Sequence, residues 1–548
     1  MRFNWHPSDS VSGDFRYSRS DIDTTALYFV INNDWGMTAI NGIRTPVPND
    51  ANDTSVPIRG NNPGEGIKEM DEFSMKWDFT SESGATFTSV TAYDDLTEIL
   101  TGDAFDNRPI GQSFNELILG PFVINPIAQF FTADELRGYN SDWNQSQYLE
   151  VSSVSQEFRY TSPSDQPLRW IAGAYMLQTD RFIGTGNLVD QGTGVSRVYK
   201  VPRTTDGRPF DFTISNPQVT YLSDSQDNFA WAVFGSLSYD FSDQWDATFS
   251  VRYDEDTREQ TTETPPGFSP PALAADLRTG QKREQTWDAM QPKVTLRWRP
   301  NDNVTVYGDV SRGFRSGGFN QSGVALAGVA GVFNTFDEQI ADTLELGVKA
   351  QFADGRINTN LAYYTTDLGG AYYFIFLSSS STQNLGSIDK VEYSGLEFEF
   401  ELNALLADNF SLNLGVAVMD SEITADAQIP QTVGKQVPLV SDYTFNLGMS
   451  YTKPLQNNLE FVVRGDYHII GDTYWGPGDP ATAPLPWNTT VRDPVHLLDL
   501  RLGVQAEDWS VTLWSKNLLD EEYNDEWSHP FAWKALPQRW GVQYTRNF

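Results

Sequence analysis

The sequence predicts an all-β protein whose strands form an antiparallel transmembrane barrel. Three observations carry that prediction. Apolar and polar residues alternate with period two along nearly the whole chain, short turns alternate with long polar loops, and the terminal strand stops on an aromatic residue. In that last strand, Trp540, Val542, Tyr544 and Phe548 share one face, while Gln543, Thr545 and Asn547 take the other.

The same alternation runs through the other elements. Trp245, Ala247, Phe249, Val251 and Tyr253 alternate with Asp246, Thr248, Ser250 and Arg252, as lipid outside and a wet lumen inside require. Phe410, Leu412, Leu414, Val416 and Val418 do the same against Ser411, Asn413 and Gly415. Leu459, Phe461, Val463 and Tyr467 alternate with Glu460, Arg464, Asp466 and His468. Within 391–402, Leu396, Phe398, Phe400 and Leu402 oppose Glu397, Glu399 and Glu401. Three carboxylates on one strand face need water, so that face lines a lumen or an exposed surface.

Short turns are expected at 7–10, 241–243, 300–303, 353–355, 406–408 and 454–457, each carrying the Pro, Asp, Asn or Gly that a tight reversal needs. Long polar connections are expected at 21–71, 101–148, 182–227 and 259–284. Counting units gives about nineteen strands of roughly 10–15 residues, enough to cross an apolar band of about 25 Å at a 35–45° tilt. An odd count makes the first and last strands parallel, so an antiparallel sheet cannot close between them. An open edge in lipid leaves N–H and C=O groups unpaired at several kcal/mol each. About three strands are therefore expected to lie outside residues 1–548, which form a single, N-terminally incomplete barrel domain.

Composition fits this architecture and excludes others. Hydrophobic residues are 39% and mean hydropathy is −0.43, values a barrel shares with soluble proteins because only alternate strand residues meet lipid. No stretch reads as a transmembrane helix; the most apolar long segment, 117–131, is interrupted by Pro121, Asn125 and Pro126. Aromatic residues reach 13%, suited to interfacial girdles. A net charge of −35 argues against nucleic acid. With no cysteine there is no disulfide, thiolate metal site or cysteine nucleophile. His6, His468, His496 and His529 stand far apart, and neither a Gly-x-Ser-x-Gly elbow nor a P-loop occurs, so no enzyme activity and no cofactor are expected. The start, Met1-Arg2-Phe3-Asn4-Trp5, is strand-like and has no apolar signal segment.

Four passages resemble TonB-dependent outer-membrane receptors, in family order. Residues 307–320, with Gly313, Phe314, Arg315, Gly317, Gly318, Phe319 and Asn320, resemble the "GFR-x-GG-F/Y-N" strand. Residues 344–356, with Glu345 and Gly347, resemble the "ELGxK…DGR" hairpin. Asn384, Gly386, Gly395 and Glu397 resemble "NxG…xGxE", and Asn517, Asp520 and Tyr523 resemble "KNLxDxxY" before the final strand. The passages cover roughly the C-terminal half; the earlier half matches by barrel pattern alone. No counterpart of the family's signal peptide, TonB-contacting box or plug domain is found, and Arg546 stands where the family usually has an apolar residue. The resemblance implies a barrel of about twenty-two strands, which agrees with the parity argument.

Its functional implication is a receptor in the Gram-negative outer membrane for energised uptake of a scarce solute. A ferric siderophore is the foremost cargo, with cobalamin, haem, other metals or oligosaccharide as alternatives. The implied partners are outer-membrane lipid, lipopolysaccharide and the TonB–ExbB–ExbD system. A passive porin-like channel is the competing reading. Arg312 and Arg315 are candidate contacts for an anionic ligand, with pairing to a lumen carboxylate such as Asp309 as the plainer alternative. Gly317 and Gly318 are expected to turn the chain into the following loop. The run with Tyr372, Tyr373 and Phe374 is expected on an extracellular excursion, for stacking on a sugar or aryl siderophore or for the outer aromatic girdle. Trp475, Trp487, Trp527 and Trp533 carry the same pair of readings. Acidic stretches at Asp94-Asp95 and Asp520-Glu521-Glu522 are read as solvated loops or as divalent-ion contacts to lipopolysaccharide.

Overall fold

The computed structural model describes residues 1–25, 30–31, 50–55, 64–103, 143–189, 197–200, 218, 220–268, 273–327, 331–377, 382–404, 409–475, 490–528 and 531–547. Nineteen long strands make one antiparallel sheet. In chain order they are β1 (Arg2–Ser8), β2 (Val11–Thr24), β3 (Gly66–Thr80), β4 (Thr86–Asp103), β5 (Trp143–Thr161), β6 (Leu168–Val189) and β7 (Leu222–Asp240). Then come β8 (Trp245–Thr262), β9 (Lys282–Asn301), β10 (Val304–Arg315), β11 (Gln339–Phe352), β12 (Ile357–Leu377) and β13 (Thr382–Asn403). The last six are β14 (Phe410–Ala425), β15 (Tyr443–Pro454), β16 (Glu460–Ile470), β17 (Val495–Gln505), β18 (Trp509–Lys516) and β19 (Arg539–Arg546). No helix among the described residues is long and apolar enough to cross a membrane; the crossings are made by strands.

Each strand pairs with its neighbours in the chain, so the sheet is a plain meander. Among the described residues no ladder joins β1 to β19. Reversals alternate short and long except at β12–β13, where Leu377 and Thr382 stand close in sequence on the long-loop side; tight turns follow β1, β3, β5, β7, β9, β11, β15 and β17. Ala353 and Asp354, at φ 52° and 56°, and Gly355 at 84° make the β11–β12 reversal in the left-handed region. The expected turn at 406–408 lies outside the described residues.

Loops at the two ends of the sheet meet, which shows how it curls. Beyond β2, the Ala51 N–H donates to Thr490 Oγ1 at 2.9 Å, and Asn524 Nδ2 donates to the Ala51 carbonyl at 2.8 Å. Lys534 Nζ donates to the Thr54 carbonyl at 2.6 Å, and Val30–Ile31 pairs antiparallel with Phe531–Ala532. Trp527, only 1% exposed, packs there with Ala51, Ala532 and Trp475. Trp527 is thus a loop-packing residue rather than a girdle residue; Trp487 lies outside the described residues.

Register turns the period-two pattern into two surfaces. Tyr363 pairs with Leu396 and Leu396 with Val418, and the next row runs Leu361, Phe398, Val416, Phe445. These apolar residues form the outer surface, where Phe249, Val294, Leu237 and Leu346 stay exposed for lipid. Trp540, Val542 and Tyr544 lie on the same outer face, 73%, 67% and 62% exposed, as the terminal pattern predicts; Phe548 lies outside the described residues. Glu397, Glu399 and Glu401 face the lumen, where Asn360 Nδ2 donates to Glu399 Oε2 at 2.8 Å.

The strands are longer than the alternation suggests. β12 and β13 run to 21 and 22 residues, and the loops expected at 21–71, 101–148, 182–227 and 259–284 all surrender residues to them. Asp94 and Asp95 therefore lie inside β4, not in a loop. The reason is that ladder hydrogen bonds do not require lipid. Beyond the apolar band the outward positions become polar while the backbone keeps pairing. Asp180, Asp227, Glu259 and Glu284 form such an outer row, directly opposite one another across β6 to β9. Like charges in register are unfavourable by tenths of a kcal/mol each, and Lys282 Nζ offsets part of this by donating to Glu259 at 2.5 Å.

Candidate functional site

The mouth on the long-loop side gathers arginines and aromatic rings from β8, β9, β10, β12 and the 316–338 connection. Arg315 ends β10 with the parity of Tyr307 and Asp309, so it belongs to the inner face. Its guanidinium carbon lies 5.1 Å from the Tyr372 ring centre, a cation–π contact. The Phe336 ring meets Tyr372 edge-on at 5.1 Å. Tyr372 is fixed from the other end, its hydroxyl donating to the Asp337 carbonyl at 2.5 Å and the Ser316 carbonyl at 3.1 Å. This part of β12 lies above the lipid band, since the outward apolar run of Leu361 and Tyr363 has already given way to Asp367. Burial pushes the Tyr372 phenol up to about 12, against the opposing pull of Arg315 and Arg258, so it remains a neutral donor.

A second ring cluster adjoins the first. Trp287 meets Phe319 edge-on at 5.9 Å, and the Arg283 guanidinium sits 4.9 Å over the Phe319 ring. Gly317 and Gly318 join the clusters. A Cβ on Gly317 would come within 2.5 Å of the Trp287 indole nitrogen and 2.6 Å of the Phe336 carbonyl. One on Gly318 would lie 2.7 Å from the Phe336 ring and 2.9 Å from Arg258. Neither glycine has positive φ. The expectation that they turn the chain is corrected: they are needed for close approach of rings and backbone.

The remaining candidates separate by face. Arg312 has the parity of Val310, which is 60% exposed on the outer wall, and its guanidinium binds Asp342 at 2.7 and 2.8 Å. Its partner is this outer carboxylate and not Asp309, which faces Lys293 at 3.3 Å. Tyr373 is 7% exposed and packs with Val324, Val332, Ile388, Val391 and Ile423, so it is a core residue of the loop cap rather than a surface contact. Phe374, beside it, is 55% exposed. Of the five sequence candidates, the fold brings Arg315 and Tyr372 together.

The motif residues have structural duties. Tyr307 lies across Gly347 on the adjacent strand and donates to Glu345 at 2.5 Å. Tyr364 lies across Gly395 in the same way, its hydroxyl 3.2 Å from the Met419 sulfur, with Glu397 beside it on the inner wall. A methyl group at Gly347 or Gly395 would overlap these rings. Gly347→Ala and Gly395→Ala are each expected to destabilise the barrel by about 1–3 kcal/mol, read as a lower urea midpoint in detergent micelles. Gly313 is under no such pressure, its nearest neighbour being Ala341 at 3.9 Å. Asn517 and Asp520 make a left-handed turn above β18, at φ 51° and 56°, and Asn517 exchanges hydrogen bonds with the Glu521 backbone. Tyr523 lies 5.6 Å from the buried Arg492 guanidinium.

Sequence reasoning missed Arg258, Arg283, Trp287 and Phe336, and took Phe319 only as part of a resembling passage. The inward positions of β8 and β9 carried a signal, because Arg258, Gln260 and Arg283 sit in phase with the lumen face. Assigning 259–284 to a loop concealed it. Among the described residues no group of three or more His, Asp or Glu side chains is arranged to hold a metal ion.

Residues 4–518 match the family model described as TonB dependent receptor-like, beta-barrel. The fold is similar to that of the ferric yersiniabactin uptake receptor FyuA from Yersinia pestis, with a TM-score of 0.67 at 17% identity, covering 99% of this chain and 69% of that one. It is similar to the ferric-catecholate import receptor Fiu from E. coli K12, with a TM-score of 0.65 at 14% identity, covering 100% and 73%. The copper transporter OprC gives a TM-score of 0.64 at 10% identity, covering 100% and 71%. At these identities the likeness is one of fold.

Proposed function

The chain belongs to the TonB-dependent receptor family of outer-membrane β-barrels, and from that premise we propose that it serves TonB-energised uptake of a ferric siderophore complex bearing anionic or aryl groups. One observation carries the reading: Arg315 and Tyr372 stack at the barrel mouth, flanked by Phe336, Arg258, Trp287 and Phe319. Among the described residues Arg315 makes no ion pair within 4 Å, in a chain of net charge −35. A half-exposed cation on a ring, beside more rings, offers charge-assisted hydrogen bonds to a carboxylate or catecholate and a π-face to an aryl group. The related barrels support iron–chelate cargo by their names, while the copper transporter shows that the fold accommodates other solutes. Energy would come from the TonB–ExbB–ExbD system, and the long loops would face lipopolysaccharide.

The test uses the folded chain in detergent and follows tryptophan quenching by ferric complexes of catecholate, hydroxamate and carboxylate chelators. At least one anionic complex is expected to bind. Arg315→Ala is expected to weaken it by about 1.5–3 kcal/mol, roughly ten- to a hundredfold, the usual worth of a hydrogen bond to a charged group. Binding of the preferred complex at unchanged affinity by Arg315→Ala would sink the assignment.

A further inference from the structure

We propose that Asn320 is the positioning residue of this mouth, a side-chain clamp that holds the β12–β13 hairpin and its Tyr372 against the strand end carrying Arg315. The inference rests on the preceding one only for the identity of the ligand site; the positioning itself is a property of the unliganded protein.

Residues 318–323 run from the end of β10 as a strap along the inner wall. They are bonded to several strands. Gln226 and Gln260, 7% and 1% exposed, donate to the Phe319 carbonyl at 3.5 Å and the Asn320 carbonyl at 2.9 Å. Thr185 Oγ1 donates to Gln321 Oε1 at 3.0 Å, Thr262 Oγ1 donates to Ser322 Oγ at 2.8 Å, and the Ser322 N–H donates to Asp224 Oδ2 at 3.0 Å. The strap is therefore a fixture of the β6–β8 wall.

The hairpin belongs to the other side of the mouth, three strands beyond β9. Asn320 bridges the two. Its Oδ1 accepts the Leu385 N–H at 2.9 Å while its Nδ2 donates to the Leu385 carbonyl at 2.9 Å and the Phe333 carbonyl at 2.8 Å. Its own N–H donates to the Asn334 carbonyl at 3.0 Å. The carboxamide thus pairs with Leu385 as one strand residue pairs with another. Leu385 faces Phe374 in the β12–β13 ladder, two residues from Tyr372. At 6% exposure every polar atom of Asn320 is used.

The side-chain chemistry is specific. Aspartate keeps the acceptor for Leu385 N–H but loses both donors and sets a carboxylate against two carbonyls. Alanine leaves three backbone groups without this partner, the Leu385 N–H, the Leu385 carbonyl and the Phe333 carbonyl. Asn320 ends one resembling passage, 307–320, and Leu385 lies between Asn384 and Gly386 of another, so positions 65 residues apart are one structural unit.

The chain has no cysteine, so spin labels can be placed uniquely at Glu284→Cys on β9 and Phe374→Cys on β12. Double electron–electron resonance on the unliganded chain in detergent reads their separation. A narrow distance distribution is expected in the parent. In Asn320→Ala it is expected to broaden at least twofold, with Asn320→Asp between the two, while the urea midpoint of the barrel moves little. Asn384→Ala is the control, since among the described residues the side chain of the buried Asn384 bonds to Thr382 of its own hairpin; its distribution is expected to stay narrow. An unchanged distribution in both Asn320 variants overturns the proposal, as does equal broadening in Asn384→Ala. If Asn320→Ala does not fold, Asn320→Asp decides alone. In unlabelled protein, the ferric complex that the parent prefers is expected to bind Asn320→Ala at least tenfold more weakly. Broadening in a chain that binds none of the ferric complexes upholds the clamp and removes the ligand assignment.

Discussion

Replacing Asp246 by alanine is expected to cost about 2–4 kcal/mol of barrel stability. Asp246 opens the inner face of β8 near the short-turn end, and its carboxylate is only 2% exposed. Arg299 Nη1 donates to Oδ2 at 2.5 Å, and Arg297 Nε lies 2.7 Å from Oδ1 at an angle that makes it an ion contact rather than a hydrogen bond. Across the ladder stands Asp240, bound by both terminal nitrogens of Arg169 at 2.6 Å. Removing one partner of a buried pair costs about 3–5 kcal/mol because the other charge is stranded. Here the two guanidiniums remain 38% and 41% exposed to the lumen, and that water lowers the figure. Urea unfolding in micelles measures it, and Asp246→Asn, which keeps the shape and one acceptor, should lose less. A midpoint for Asp246→Ala equal to the parent's would show that lumen water replaces the carboxylate freely.

Phe249→Arg is the second large effect, expected at about 2–4 kcal/mol in a bilayer. Phe249 is 50% exposed between Leu237 and Val294 in the outer row, midway between Trp245 and Tyr253. In water such a residue would be an ordinary exposed hydrophobe. In lipid, a guanidinium at that depth loses its hydration, and the cost falls to about 0–1 kcal/mol near the interface. Thr257→Arg, on the same face beyond the band, is the depth control. Folding yields into vesicles should separate the two variants; similar yields would mean that the band is not centred on Phe249.

Much of the barrel was legible because alternation is local. Trp245 to Tyr253 declares two faces without knowledge of its neighbours, and a pleat can only send successive side chains to opposite sides. The same parity separates Arg312 from Arg315, which stand three positions apart. Reading them as equivalent overlooked a distinction already present in the chain, and Val310 shows it. Strand ends were less legible. Backbone pairing outlasts the lipid that imposes the apolar pattern, so Asp94, Asp95 and Asp227 looked like loop residues.

Tyr372 and Tyr373 mark where local reading ends. Gly370, at φ 67°, interrupts the pleat of β12, so parity counted up from Leu361 no longer says which tyrosine is buried. The sequence by itself determined a membrane barrel, its nineteen strands and its lipid and lumen faces, since these follow from short-range periodicity and turn chemistry, while its four motif passages carried the resemblance to outer-membrane receptors. Only the tertiary structure decided that Tyr372 stacks on Arg315 while Tyr373 enters the core, and that Asn320 grips Leu385. Those contacts depend on where separate strands arrive once the sheet has curled, which short-range periodicity does not specify.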